Sequence, residues 1–207
     1  MSILQLLPIP LESAPATEQQ PWWELASKLA SASGTLTTLW APQHENNKIG
    51  GIAATWKSVS AQEAWSESAQ GKAFKADIEH LGGTTFSEDI IVLAEDPAPT
   101  FTSQVVEVVW WIHPVDRLDE AKPLAAFKEF QKAFRSETDG GLVAGWGEKE
   151  FEYQGVETRR FYCLIGWTSV EAHLACKQTP VFAENIHFLR DHGHIGVQMV
   201  HYPFRAV

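Results

Sequence analysis

The chain repeats itself, and that repeat limits its architecture more than any other feature. Trp56-Lys-Ser-Val-Ser-Ala-Gln-Glu-Ala-Trp65 lies over Trp167-Thr-Ser-Val-Glu-Ala-His-Leu-Ala-Cys176 at an offset of 111, with five of ten positions identical. Phe74, Ile78 and Leu81 match Phe182, Ile186 and Leu189 at an offset of 108. Gln5 matches Glu107 and Pro21 matches Pro123 at 102, and Trp40 matches Trp146 at 106. Offsets that drift by a few residues are what small insertions leave behind. The 207 residues therefore divide into two homologous halves, each near the size of a small domain. The expected boundaries are residues 1–96 for the first repeat, 97–101 for a short stiff linker around Pro97 and Pro99, and 102–207 for the second.

Each half reads strand, helix, strand, strand, helix, strand. In the second, Val105 to His113 has the Val/Ile/Trp content of a strand. Pro123 opens a helix on which Leu124, Phe127, Gln131 and Phe134 fall on one face with Phe130 beside them, and Gly140-Gly141 ends it. Leu142 to Trp146 and Phe161 to Trp167 pair across a long polar connection. Thr168 and Glu171 suggest a capping box for the next helix, and His194 to Tyr202 closes the unit. The first half repeats this order with Ile3 to Leu7, Trp22 to Ser33, Leu36 to Trp40, Ile52 to Trp56, a helix from about Ser60, and Asp89 to Leu93. The expectation is an α+β chain of two ferredoxin-like β-α-β-β-α-β repeats whose antiparallel sheets pack face to face in one intrachain α+β barrel.

Composition excludes several classes of function. A net charge of −10 without a Lys/Arg cluster argues against nucleic acid and against an anionic membrane surface. The 2 cysteines, Cys163 and Cys176, are too few for a disulfide scaffold and form no zinc motif. Ile3 to Leu11 is too short and too proline-rich for a signal peptide, so a cytoplasmic location is expected. No Gly-rich phosphate loop and no nucleophile elbow occur.

Gly-Trp167-Thr-Ser-Val-Glu-Ala-His173, followed by Thr-Pro180-Val-Phe-Ala-Glu-Asn, resembles the strand-to-helix signature of the dimeric α+β barrel superfamily. Within it, the stretch is similar to the antibiotic biosynthesis monooxygenase group, and to the tandem fungal versions in which one chain supplies both halves. The first-half counterpart is degenerate, with Gln62 where the His stands. The resemblance implies a cavity for a hydrophobic aromatic, polyketide-like or terpenoid-like molecule of secondary metabolism. It implies cofactor-independent oxygenation, cyclisation or isomerisation, with haem handling or non-catalytic ligand binding as the other activities of the group. No cofactor is expected. The partner expected is the small molecule itself, on a monomer or homodimer.

Strand alternation sorts the candidate residues. Val106, Val108, Trp110 and Ile112 form a wholly apolar face suited to packing under helices, leaving Glu107, Val109, Trp111 and His113 for the cavity. On the closing strand, Ile195, Val197 and Met199 suit the helix side, with His201 alongside them or frayed at the end, while His194, Gln198 and Tyr202 suit the cavity. Glu107 is the leading acid/base candidate, because burial disfavours its charged form; pairing with Arg159, Arg160 or a Lys is the structural alternative. His113 and His194 are further catalytic candidates, and turn capping would also account for them. Trp111, Trp146, Tyr162, Gln198 and Tyr202 are candidates for contacting the ligand, although core packing alone would explain the aromatic ones. His173 falls at the edge of a packed helix face, where a hydrogen-bonding role suffices. His187, His192, His194 and His201 fall on different elements with no acidic residue at a familiar spacing, so no metal site is expected. The blander lining of the first half, with Gln5 in place of Glu107, concentrates polar chemistry in the second.

Overall fold

Alternating apolar and polar residues, interrupted by turn signals, give the chain its strands, and 3.6-residue periodicity gives its helices. A computed structural model describes residues 1–10, 20–80 and 88–207. Leu81, one landmark of the repeat, lies outside the described residues. The chain is α+β and forms two compact units, Ser2–Ile91 with Tyr202–Val207, and Val92–His201 with Met1. No helix among the described residues is long and apolar enough to cross a membrane.

The first unit runs β1 (Ser2–Pro10), α1 (Gln20–Ala30), β2 (Thr35–Pro42), β3 (Ile49–Trp56), α2 (Val59–Glu67), α3 (Ala69–His80) and β4 (Asp89–Leu93). Its strands lie in the order β2–β3–β1–β4, and the pairs β2–β3 and β1–β3 are antiparallel. This is the ferredoxin-like order.

The second unit runs β5 (Val105–Pro114), α4 (Ala121–Phe134), β6 (Leu142–Gly147), β7 (Phe151–Tyr153), β8 (Val156–Trp167), α5 (Val170–Cys176), α6 (Pro180–Asn185), α7 (His187–Arg190) and β9 (Gly196–Tyr202). The order β6–β8–β5–β9 repeats that of the first unit, with β7 added beside β8. The last strand, β10 (Arg205–Ala206), belongs to the first unit, where it pairs antiparallel with β2.

Several local expectations change in detail. The connection before Phe161 is itself a hairpin: β7 and β8 meet at Gln154 and Gly155, whose φ of 53° and 79° suit a tight two-residue turn. The helix α4 starts at Ala121, two residues before Pro123, still within the first turn where a missing N–H costs nothing. The cap of α5 is Ser169 rather than Thr168: its hydroxyl accepts from the Ala172 N–H at 3.1 Å. Ser58 caps α2 in the same way, through the Ala61 N–H at 3.1 Å, so the repeat extends to the caps.

The facing of β5 is the opposite of the one expected. Val109 and Trp111 pack with Phe127, Phe130 and Phe134 of α4 and with Leu189 of α7, so the face carrying Glu107 is the helix-covered one. Val106, Val108 and Ile112 are buried on the other face. An apolar stripe marks burial without saying what buries it, and both faces of this strand are buried. On β9, His201 is on the helix side, hydrogen-bonded to His173, whereas His194 and Gln198, expected on the opposite face, line the same helix-side cavity as Val197 and Met199.

The β8 end is pinned by a close backbone approach. A Cβ at Gly166 would come within 1.9 Å of the Asp139 carbonyl oxygen and 2.0 Å of Ser103 Oγ. Gly166→Ala therefore costs about 1–3 kcal/mol of unfolding free energy, read from urea denaturation.

Candidate functional site

Glu107 of β5, Trp167 at the end of β8 and His173 of α5 converge because β5 and β8 pair in register and α5 starts directly after β8. Glu107 lies opposite Ile165, and Val105 opposite Trp167. The Trp167 indole N–H donates to Glu107 Oε2 at 2.9 Å. The Trp167 ring stacks on His173 at 4.9 Å between centroids and 20° between planes. His173 Nε2 stands 3.6 Å from the same carboxylate oxygen. On its other side, His173 Nδ1 is 2.8 Å from His201 Nε2 of β9. Glu107, His173 and His201 are 4%, 3% and 2% exposed, so their polar contacts form away from bulk water.

This cluster opens onto a cavity of 440 Å³, within the size range of small-molecule sites. The cavity lies between the sheet and the helices of the second unit. Val109, Trp111, Phe130, Phe134, Trp167 and Phe182 supply much of its wall, and Glu107 and His173 lie in that wall. Phe130 and Phe134 stack at 4.2 Å and 14°, presenting flat surfaces. Lys177, Arg190 and Gln198 also line it, as does His194. The buried Nδ1 of His194 has no hydrogen-bond partner among the described residues.

The expected site residues divide accordingly. Glu107, Trp111, His194 and Gln198 line this cavity. His113, on the same strand face but six residues along β5 from Glu107, and so about 20 Å away, lines a separate cleft with Pro114, Asp119 and His192. Its ring contacts Trp146 at 5.2 Å and His194 at 6.1 Å. Trp146, Tyr162 and Tyr202 do not line the cavity. The Trp146 indole donates to the Glu120 carbonyl oxygen and packs on Phe161, which makes it core. Tyr162 pairs with Trp110 across the opposite face of the sheet. Tyr202 belongs to the first unit, where its ring covers Gly51 so closely that a Cβ there would lie within 2.6 Å. Burial and the nearby Glu45 carboxylate push the Tyr202 hydroxyl pKa up.

The two arginines of the structural alternative make contacts of their own. Arg159 pairs with Glu120, and Arg160 sits 3.7 Å above the Phe151 ring. His201, for which the sequence offers no acidic residue at a familiar metal-ligand spacing, joins Glu107 through His173. One ligand atom from each of these three residues falls within 4.8 Å of the others. Two imidazoles and a carboxylate suit a divalent transition metal. Taking one up would replace the direct His173–His201 contact. Cys163 and Cys176 are free and buried, and burial raises both thiol pKa values, with Glu107 adding to the effect on Cys163.

His113 carries a testable pH signature. Burial, then the neighbouring His194 and His192, lower its pKa from 6.5 to about 4. Between those values the unfolded chain binds the proton and the folded chain does not. Stability is therefore full above about pH 6.5 and is lost as the pH falls toward 4. His113→Gln flattens the urea-midpoint profile across that window.

The first unit holds a polar cluster of the same shape. The Trp56 indole donates to Gln5 Oε1 at 3.0 Å, as Trp167 does to Glu107. Gln5 and Gln62 then donate to Glu88 Oε1, at 2.5 and 3.4 Å. Gln5, Trp56 and Gln62 are the repeat counterparts of Glu107, Trp167 and His173. The associated cavity is smaller, 170 Å³.

Solved structures match the chain over its whole length. One is a protein of Lactobacillus acidophilus assigned provisionally as a monooxygenase, with a TM-score of 0.63 and 12% identity over 100% of this chain and 98% of that one. A second is an anthrone oxidase-like protein, with a TM-score of 0.67 and 14% identity over 99% and 93%. The chain shares their fold. A third, from Fusobacterium nucleatum and also assigned provisionally as a monooxygenase, has a TM-score of 0.64 and 14% identity over 98% and 92%. Neither a protein-family model nor a curated protein matches the sequence.

Proposed function

We propose that the second unit binds a flat, hydrophobic aromatic molecule in its cavity and that Glu107 removes an acidic proton from it, committing the resulting carbanion to oxygenation. The observation that carries this reading is a buried carboxylate, held by an indole N–H, in the wall of an aromatic cavity. Paired flat rings such as Phe130 and Phe134 favour a planar ligand. His194 supplies a polar handle on the same wall for a ligand oxygen. Confining the ligand against a fixed base replaces a bimolecular encounter with an oriented one.

The fold is shared with proteins described as monooxygenases and as anthrone oxidase-like, which favours oxygenation over isomerisation. An activated methylene with O2 gives a carbonyl and water, and O2 is the sole oxidant required. Anthrone is the natural probe, since its ring methylene is acidic and flanked by two aromatic rings. In anaerobic D2O the protein accelerates deuterium uptake at that methylene, read by NMR. In air it consumes O2 as anthraquinone forms. Uptake no faster than in buffer would reject the reading, and binding of anthrone without exchange would leave a ligand-binding protein in its place.

A further inference from the structure

We propose that Arg190 and His194 form an anion subsite at the far end of the cavity from Glu107, and that the ligand is an aromatic carboxylic acid. This rests on the reading of the cavity as a site for an aromatic molecule and adds the group that orients the molecule in it. Arg190 and His194 both line the cavity. His194 contacts the ring of His113, which lies six residues along β5 from Glu107, about 20 Å away. The aromatic wall therefore lies between two polar ends.

The charge of the wall points to an anion. Among the described residues that line the cavity, Glu107 is the one acid, against the two cations Lys177 and Arg190. That excess of positive charge stands out in a chain of net charge −10. Neither cation makes a salt bridge among the described residues. Charge of one sign on low-dielectric walls draws in a ligand of the other sign. The repeat supplies a contrast. The first unit's smaller cavity sets Lys75 against Glu79 and Glu88, the reverse balance. At the offset that relates Leu81 to Leu189, Gly82 stands in the sequence where Arg190 does.

Of the two cations, Arg190 is the one placed to hold a carboxylate. Lys177 follows His173 by one helical turn and caps α5, at the end of the cavity where Glu107 would repel a second carboxylate. Arg190 ends α7 directly after Leu189, a buried residue of the same wall, and is itself exposed. Its guanidinium thus stands at the cavity mouth, where a carboxylate loses less hydration than it would among the rings. The planar fork of an arginine matches both oxygens of a carboxylate. Beside it, the His194 Nδ1 has no hydrogen-bond partner among the described residues. Burial lowers the His194 pKa, and the neutral ring still has one N–H to donate to a ligand oxygen.

The test compares anthraquinone-2-carboxylate with anthraquinone-2-carboxamide, probes of one shape that differ in charge, by tryptophan-fluorescence titration of the whole chain at neutral pH. Wild type binds the carboxylate at least tenfold more tightly than the amide. In Arg190→Gln the two affinities come within twofold of each other. Arg190→Lys, which keeps the charge and loses the fork, lowers the preference at least threefold. Lys177→Gln keeps the preference within threefold of wild type. Equal binding of both probes to wild type would overturn the subsite and leave the aromatic cavity standing. A preference that survives in Arg190→Gln, or that is lost in Lys177→Gln, would place the carboxylate elsewhere and overturn the subsite as well. If wild type binds neither probe, the reading of the cavity fails and the subsite with it. Circular dichroism establishes that the variants are folded; if Arg190→Gln is not, Arg190→Lys decides.

Discussion

Glu107→Gln lowers deuterium uptake by anthrone about 10²–10⁴-fold, the range attributable to a positioned general base, and leaves anthrone binding within a few-fold. Gln keeps the shape of the side chain and an oxygen to accept the Trp167 N–H, the same pairing that Gln5 makes with Trp56 in the first unit. The fold has thus already accommodated an amide at the equivalent position. Loss of turnover in this variant reports chemistry rather than collapse of the site, and an unchanged urea midpoint confirms it. A drop of less than tenfold would remove Glu107 from the reaction.

Phe134→Ala destabilises the protein by about 3–5 kcal/mol, as expected for deleting a buried aromatic ring whose surroundings collapse only partly. Phe134 is 1% exposed and stacks on Phe130, while its edge meets Phe182. It is both core and cavity wall. The substitution therefore also weakens anthrone binding, measured by fluorescence titration under conditions where the variant remains folded. A variant that loses stability but binds anthrone as wild type does would place the ligand elsewhere.

The repeat was legible because Trp, Ser, Val and Ala recur at a nearly constant offset, and the structure extends the repeat to the Ser58 and Ser169 caps. The strand faces were legible only as two alternating sets. Val106, Val108 and Ile112 look like a helix-facing stripe, but a strand buried on both sides offers no apolar contrast to decide between them. Glu107 is legible because a carboxylate within an apolar strand stands out. Trp167 and His173 stood in the stretch that carries the family resemblance, although nothing in their spacing linked them to Glu107. His201 was beyond reach: its contact with His173 spans 28 residues and depends on α5 meeting β9. Tyr162 and Tyr202 read from the sequence as ligand contacts because an aromatic ring looks alike in a core and in a cavity.

A crystal structure of the protein soaked with anthraquinone, the oxidised analogue of the probe, tests the central claim most directly. The account predicts the ring system between Trp111, Phe130, Phe134 and Trp167, with the oxidised ring carbon about 3–3.5 Å from a Glu107 carboxylate oxygen, the separation of a near-attack geometry. Anthraquinone bound on the Trp110–Tyr162 face of the sheet, or only in the cleft beside His113, with the cavity at Glu107 empty, would contradict it.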